Sequence, residues 1–97
     1  MKGVIISFTA NGERLGEKVS KALKELGWDA DTFVKSKYVK SSQAHPVTMS
    51  LNQWIEPLWE ETEAIVFVGA TGIAVRAIAP FVKSKKTDPA CLLYTSD

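Results

Sequence analysis

Ninety-seven residues, 45% of them apolar and 24% charged, make one globular domain near the lower size limit for a self-sufficient core. Twelve basic and eleven acidic residues leave a net charge of +1, so no global field marks a nucleic-acid or membrane binder. The single cysteine, Cys91, excludes a disulfide within the chain, and no stretch reaches the roughly 20 apolar residues of a membrane helix.

Gly3 to Phe8 (GVIISF) is a short β-branched run that reads as a buried strand. Thr9-Ala10-Asn11-Gly12 is turn chemistry, with Thr9 or Asn11 as helix N-cap. Leu15, Val19, Ala22, Leu23 and Leu26 then repeat at helical spacing, and Gly27 is placed to end that helix. Trp28 to Val34 (WDADTFV) is a weaker strand; Asp29 and Asp31 on its polar side suit a sheet edge. Lys35 to Met49 has no periodicity and is expected to be a long loop, a class that is often functional.

Ser50 is placed to cap a second helix, in which Leu51, Trp54, Ile55, Leu58 and Trp59 share one face. Pro57 lies inside that pattern and predicts a kink, or a restart near Glu56. Ala64 to Val68 (AIVFV) has no polar alternation, as expected of a central parallel strand buried on both faces. Gly69-Ala70-Thr71-Gly72 turns the chain into Ile73 to Ala79, a helix apolar at every position but Arg76. Pro80 breaks it, Lys83 to Pro89 is a basic turn, and Ala90 to Tyr94 (ACLLY) is a final strand.

The order β-α-β-loop-α-β-α-β argues for an α/β fold: a small, doubly wound, Rossmann- or flavodoxin-like three-layer domain. Its parallel sheet should have about four strands in the order 2-1-3-4. The switch point then falls between the first and third strands, and the turns Ser7–Gly12 and Gly69–Gly72 converge on one crevice. A strand, a glycine turn and a helix start present backbone N–H groups to an anion, and Arg76 one turn on adds a planar charge.

Other chemistries find less support. Gly69–Gly72 lacks the full G-x-G-x-x-G spacing of a dinucleotide site, and no P-loop is present. His45 stands without a cluster of metal-ligand spacing, and Ser7, Thr9, Ser41 and Ser42 have no identified base, so neither a protein-held metal nor a nucleophilic triad is expected. Trp54 and Trp59 read as core. Ile73, Val75, Ile78 and Phe81 suggest a helix face that covers a second domain or subunit. The chain's start enters a strand directly, without a leader pattern, and a cytoplasmic protein is expected.

The run SLNQWIEPLWEETEAIVFVGATGIAVRAIAPFVKSKKTDPA, with the opening IISFTANGERLGEKVSKAL, resembles the N-terminal domain of the CbiG (cobalt-precorrin-5A hydrolase) family over about residues 1–90. The resemblance implies an enzyme of anaerobic cobalamin biosynthesis that opens a ring δ-lactone and releases acetaldehyde. It implies an anionic cobalt-tetrapyrrole substrate, which brings the cobalt, so no cofactor of the protein's own is expected. Further C-terminal domains of the same protein are the implied partners, with neither nucleic acid nor membrane. Thr9, Asn11, Gly69, Thr71, Gly72, Arg76 and Lys83 are the expected substrate-binding residues.

Residues 1–97 are thus read as a single domain, the truncated front of a larger enzyme. The end Cys91-Leu-Leu-Tyr-Thr-Ser-Asp97 departs from the family and looks like a translated sequencing-adapter string. The alternative function is a non-catalytic α/β module that binds an anionic metabolite or scaffolds a partner domain.

Overall fold

The structure is a computed structural model that describes residues 1–35, 44–69, 76, 78–82 and 88–94. Its centre is a five-stranded, all-parallel sheet in the order β3-β2-β1-β4-β5. The strands are β1 (Lys2–Ser7), β2 (Asp29–Val34), β3 (His45–Pro46), β4 (Ala64–Val68) and β5 (Ala90–Tyr94). Without β3, this is the order expected from the sequence. β3 corrects the long-loop reading of 35–49: His45 pairs with Phe33, Pro46 with Val34, and Val47 N–H reaches Val34 O at 2.8 Å. Two residues are too few to show a period, and proline, which has no N–H to offer the ladder, is tolerated at a sheet edge, where the open side needs none.

β1 and β4 lie side by side in the middle, and Val4 to Ser7 and all of β4 are buried. That is why neither strand alternates polar and apolar residues. In β2, Ala30 and Val34 are buried while Asp29 and Asp31 face water, as suits a strand followed only by a two-residue edge.

Helix α1 (Ala10–Glu25) covers one sheet face, where Ile5, Ala30, Val66 and Val68 receive Leu15, Val19 and Leu23. The leucines are not its closest contact, however. Gly12, Gly16 and Ser20, four apart, are buried against the sheet, while Ala22 and Leu26 of the expected apolar face are exposed. A Cβ at Gly16 would stand 3.2 Å from the Ile5 methyl Cγ2, so the helix backbone lies directly on β1. Ser20 Oγ donates to Ala30 O at 2.8 Å and pins the same face to β2. The helix ends as the sequence predicts. Gly27 adopts φ 89°, Trp28 N–H bonds Leu23 O and Gly27 N–H bonds Lys24 O, a Schellman closure.

Helix α2 (Leu51–Glu61) covers the other face and, with Val4, Ile6, Ile65 and Phe67, builds the larger core through Leu51, Trp54, Ile55 and Trp59. Ser50 caps it: its Oγ accepts Gln53 N–H, and Gln53 Oε1 accepts Ser50 N–H in return. The helix runs continuously through Pro57, against the expected restart near Glu56. Pro57 and Gln53 are both exposed, so the Gln53 carbonyl that loses its intrahelical donor can turn to water.

After β4, Arg76 and Ile78 are helical, and a 3-10 turn (Ala79–Phe81) containing Pro80 closes the segment. Ile78 and Phe81 pack on the α2-side core, and the Phe81 ring lies 5.9 Å from Trp59. These two residues are therefore partly buried within the domain, against its α2-side core. Ile73 and Val75 lie outside the described residues. With helices on both faces of a parallel sheet, the architecture is the small doubly wound α/β domain predicted.

Candidate functional site

The carboxyl ends of β1 and β4 and the start of α1 meet at one place. β1 ends at Ser7, and Thr9 takes extended backbone as the N-cap of α1. Thr9 Oγ1 accepts Gly12 N–H at 2.9 Å, and Thr9 O accepts Glu13 N–H at 2.9 Å. The N–H groups of Ala10 and Asn11 are the two helix-start donors left free of this capping arrangement. They sit at the positive end of the helix dipole.

Gly12 keeps this turn tight. A Cβ there would meet Thr9 Oγ1 at 3.1 Å, Ser7 Cβ at 3.3 Å and Val68 O at 3.6 Å. The α1 start is therefore seated across the ends of both central strands, the switch point at which doubly wound sheets bind ligands. Beyond Val68, Gly69 turns the chain with φ 79°, a left-handed conformation that side chains rarely adopt. Its N–H is used by Tyr94 O at 2.8 Å, so Gly69 shapes the turn and does not donate to a ligand.

The structure thus brings Thr9, Asn11 and Gly69 to one end of the sheet. Asn11 is exposed there. Arg76 is helical and exposed, and among the described residues no hydrogen bond or ion pair joins it to the other three. Thr71, Gly72 and Lys83 lie outside the described residues.

One residue at this end escaped the sequence reading. Glu13, in the first turn of α1, is 8% exposed, between Gly12 and Gly16 on the face turned to the sheet. Its signal is the small-residue spacing around it: glycines at 12 and 16 bring the helix close enough to bury a neighbouring long side chain.

A separate depression lies near the amino ends of β4 and β5. It is an open cavity of about 370 Å³ lined by Trp59, Ile78, Val82, Asp88, Ala90 and Cys91 among others. Trp59 Nε1 donates to Asp88 Oδ1 at 3.1 Å across it. Burial raises the pKa of the Cys91 thiol, and the nearby Asp88 charge adds to the effect. Among the described residues no group of His, Cys, Asp and Glu is arranged to hold a metal ion, and no helix is long and apolar enough to cross a membrane.

Comparison with known proteins places this geometry in context. A family model described as cobalamin synthesis G N-terminal matches residues 53–97. The cobalt-precorrin-5A hydrolase of Priestia megaterium is 29% identical over 82 residues, which is 80% of this chain and 22% of that protein. The cobalt-precorrin-5A hydrolase of Salmonella typhimurium is 57% identical over 30 residues, 31% of this chain and 8% of that protein. No solved structure matches. The chain spans about a fifth of the Priestia protein's length, and it resembles the N-terminal domain of the cobalamin synthesis G family.

Proposed function

We propose that this chain is the N-terminal domain of a cobalt-precorrin-5A hydrolase of anaerobic cobalamin biosynthesis, a cytoplasmic enzyme that opens the ring δ-lactone of its substrate with release of acetaldehyde. The observation that carries the reading is the family match over 53–97, which spans β4 and the turn at Gly69 beside the crevice. The names of the two relatives support the same substrate class.

The geometry is suited to the chemistry. A lactone carbonyl gains negative charge when water adds to it, and oriented N–H donors at a helix start stabilise such charge without having to reorganise. The free N–H groups of Ala10 and Asn11, with the Asn11 side chain beside them, offer this at the switch point. Substrate carboxylates would be held by Thr9, Asn11 and the turn Gly69, Thr71 and Gly72, with Arg76 and Lys83 as cationic anchors. Cobalt belongs to the substrate in this reading, and the protein needs no cofactor of its own. Further domains of the same polypeptide would close the site.

The test is acetaldehyde release from cobalt-precorrin-5A by the complete enzyme. Arg76→Ala is expected to cut kcat/KM at least tenfold while the far-UV circular dichroism stays unchanged. Undiminished turnover would remove Arg76 from the mechanism. Binding of inorganic phosphate by a chain that ignores the corrinoid would instead favour the non-catalytic anion-binding module.

A further inference from the structure

We infer that Trp59 positions the Arg76 guanidinium at this site by latching the crossover between β4 and β5, an inference that rests on the lactone-hydrolase reading above. Arg76 is exposed, and among the described residues no hydrogen bond or ion pair holds its side chain. A guanidinium without a tie of its own reaches only where the backbone beneath it allows. Residues i and i+2 of a helix point roughly 200° apart, so Arg76 faces outward because Ile78 faces the core.

The seat under that segment is made by Trp59, near the end of α2. Ile78 and Phe81 pack on the core cluster to which Trp59 belongs, and the Phe81 ring lies 5.9 Å from the Trp59 ring. Trp59 also holds the far end of the same crossover: its Nε1 donates to Asp88 Oδ1 at 3.1 Å, just ahead of β5 at Ala90. One side chain of α2 therefore ties both sides of the connection that carries Arg76.

Core filling does not account for this side chain. A phenylalanine would supply an apolar ring, whereas an indole that is only 5% exposed brings an N–H that must find an acceptor. Here the acceptor is a carboxylate, whose hydrogen bonds are stronger than those between neutral groups. Such a bond adds direction to packing. It fixes how the crossover lies on α2, and with it the spacing between Arg76 and the free N–H groups at the start of α1.

The experiment uses the complete enzyme acting on cobalt-precorrin-5A. Trp59→Phe keeps an aromatic ring beside Phe81 and removes the N–H. It should raise KM about fivefold and leave kcat within about twofold of the wild type. Asp88→Ala should do the same, whereas Asp88→Asn, which keeps an acceptor oxygen, should stay closer to the wild type. In an Arg76→Ala background Trp59→Phe should raise KM no further, because the group it positions is gone. Thermal unfolding of each variant is recorded alongside. An unchanged KM in Trp59→Phe beside an active wild type overturns the inference and leaves the hydrolase reading standing. The same KM rise on top of Arg76→Ala also overturns it, because Trp59 then acts through another group. So does a fall in kcat alone that tracks a lowered unfolding temperature, because Trp59 is then structural. A wild-type enzyme that leaves the lactone closed overturns both readings.

Discussion

The Thr9 hydroxyl holds the α1 start with one hydrogen bond, to Gly12 N–H. Thr9→Ala should cost about 1 kcal/mol, measured by urea unfolding, and should also loosen the donors of the crevice. Ser20→Ala leaves the buried Ala30 carbonyl without its side-chain donor and should cost about 1–3 kcal/mol. Cys91 gives a pH-dependent prediction. Burial and Asp88 raise its pKa in the folded chain, so the native thiol keeps its proton to higher pH than the unfolded one. Folding stability is therefore fully present below the ordinary thiol pKa and falls as pH rises through and above it. Iodoacetamide at neutral pH should modify Cys91 more slowly than a free cysteine. Asp88→Asn, which removes the smaller cause, should speed that reaction while leaving it slower than the free thiol.

The two helices differ in how far the sequence discloses them. α2 follows its pattern: Ser50 caps it, and Leu51, Trp54, Ile55 and Trp59 are buried where the spacing places them. The helix continues through Pro57 because a proline's cost depends on which carbonyl it orphans, and the one affected here belongs to the exposed Gln53. Pro57→Ala restores the donor, and thermal unfolding should show a gain on the order of 1 kcal/mol. α1 conceals its contact face because periodicity counts apolar side chains, whereas its closest approach is made by residues that nearly lack one. Gly16→Val tests this. Its branched side chain would be forced against Ile5 and should destabilise by about 1–3 kcal/mol, although valine is bulkier and more apolar than glycine. For the same reason Thr9 and Gly69 were legible as cap and turn, while Glu13 was not. In sequence it is one more first-turn acid, and only the neighbouring glycines bury it.

Across the whole molecule the parallel order was readable because β1 and β4 are apolar runs without alternation, a pattern that only a doubly covered sheet explains. The two edges were less legible. β3 is too short to show a period, and β5 is apolar yet largely exposed, with Leu92, Leu93 and Tyr94 at 54%, 48% and 44%. β5 pairs with β4 over its whole length through backbone bonds, and among the described residues no strand lies beside its outer edge. An apolar open edge is a template for another chain. The 97-residue chain should therefore associate as its concentration rises in sedimentation velocity runs, and Leu93→Lys should shift it toward the monomer.

The position of β1 also bears on how the chain is made. It is synthesised before the other four strands of this sheet, yet it occupies the middle, with Gly3 between Ala30 and Ala64. β1, α1 and β2 can assemble early, but β1 then presents a bare edge of unpaired N–H and C=O groups among apolar side chains until β4 has been translated. For that interval the nascent domain is a half-sheet with a sticky side, and parallel pairing between such distant segments is slow. Slow codons between α2 and β4 would prolong the exposure, and a chaperone that shields apolar strands would be needed most at that length of chain.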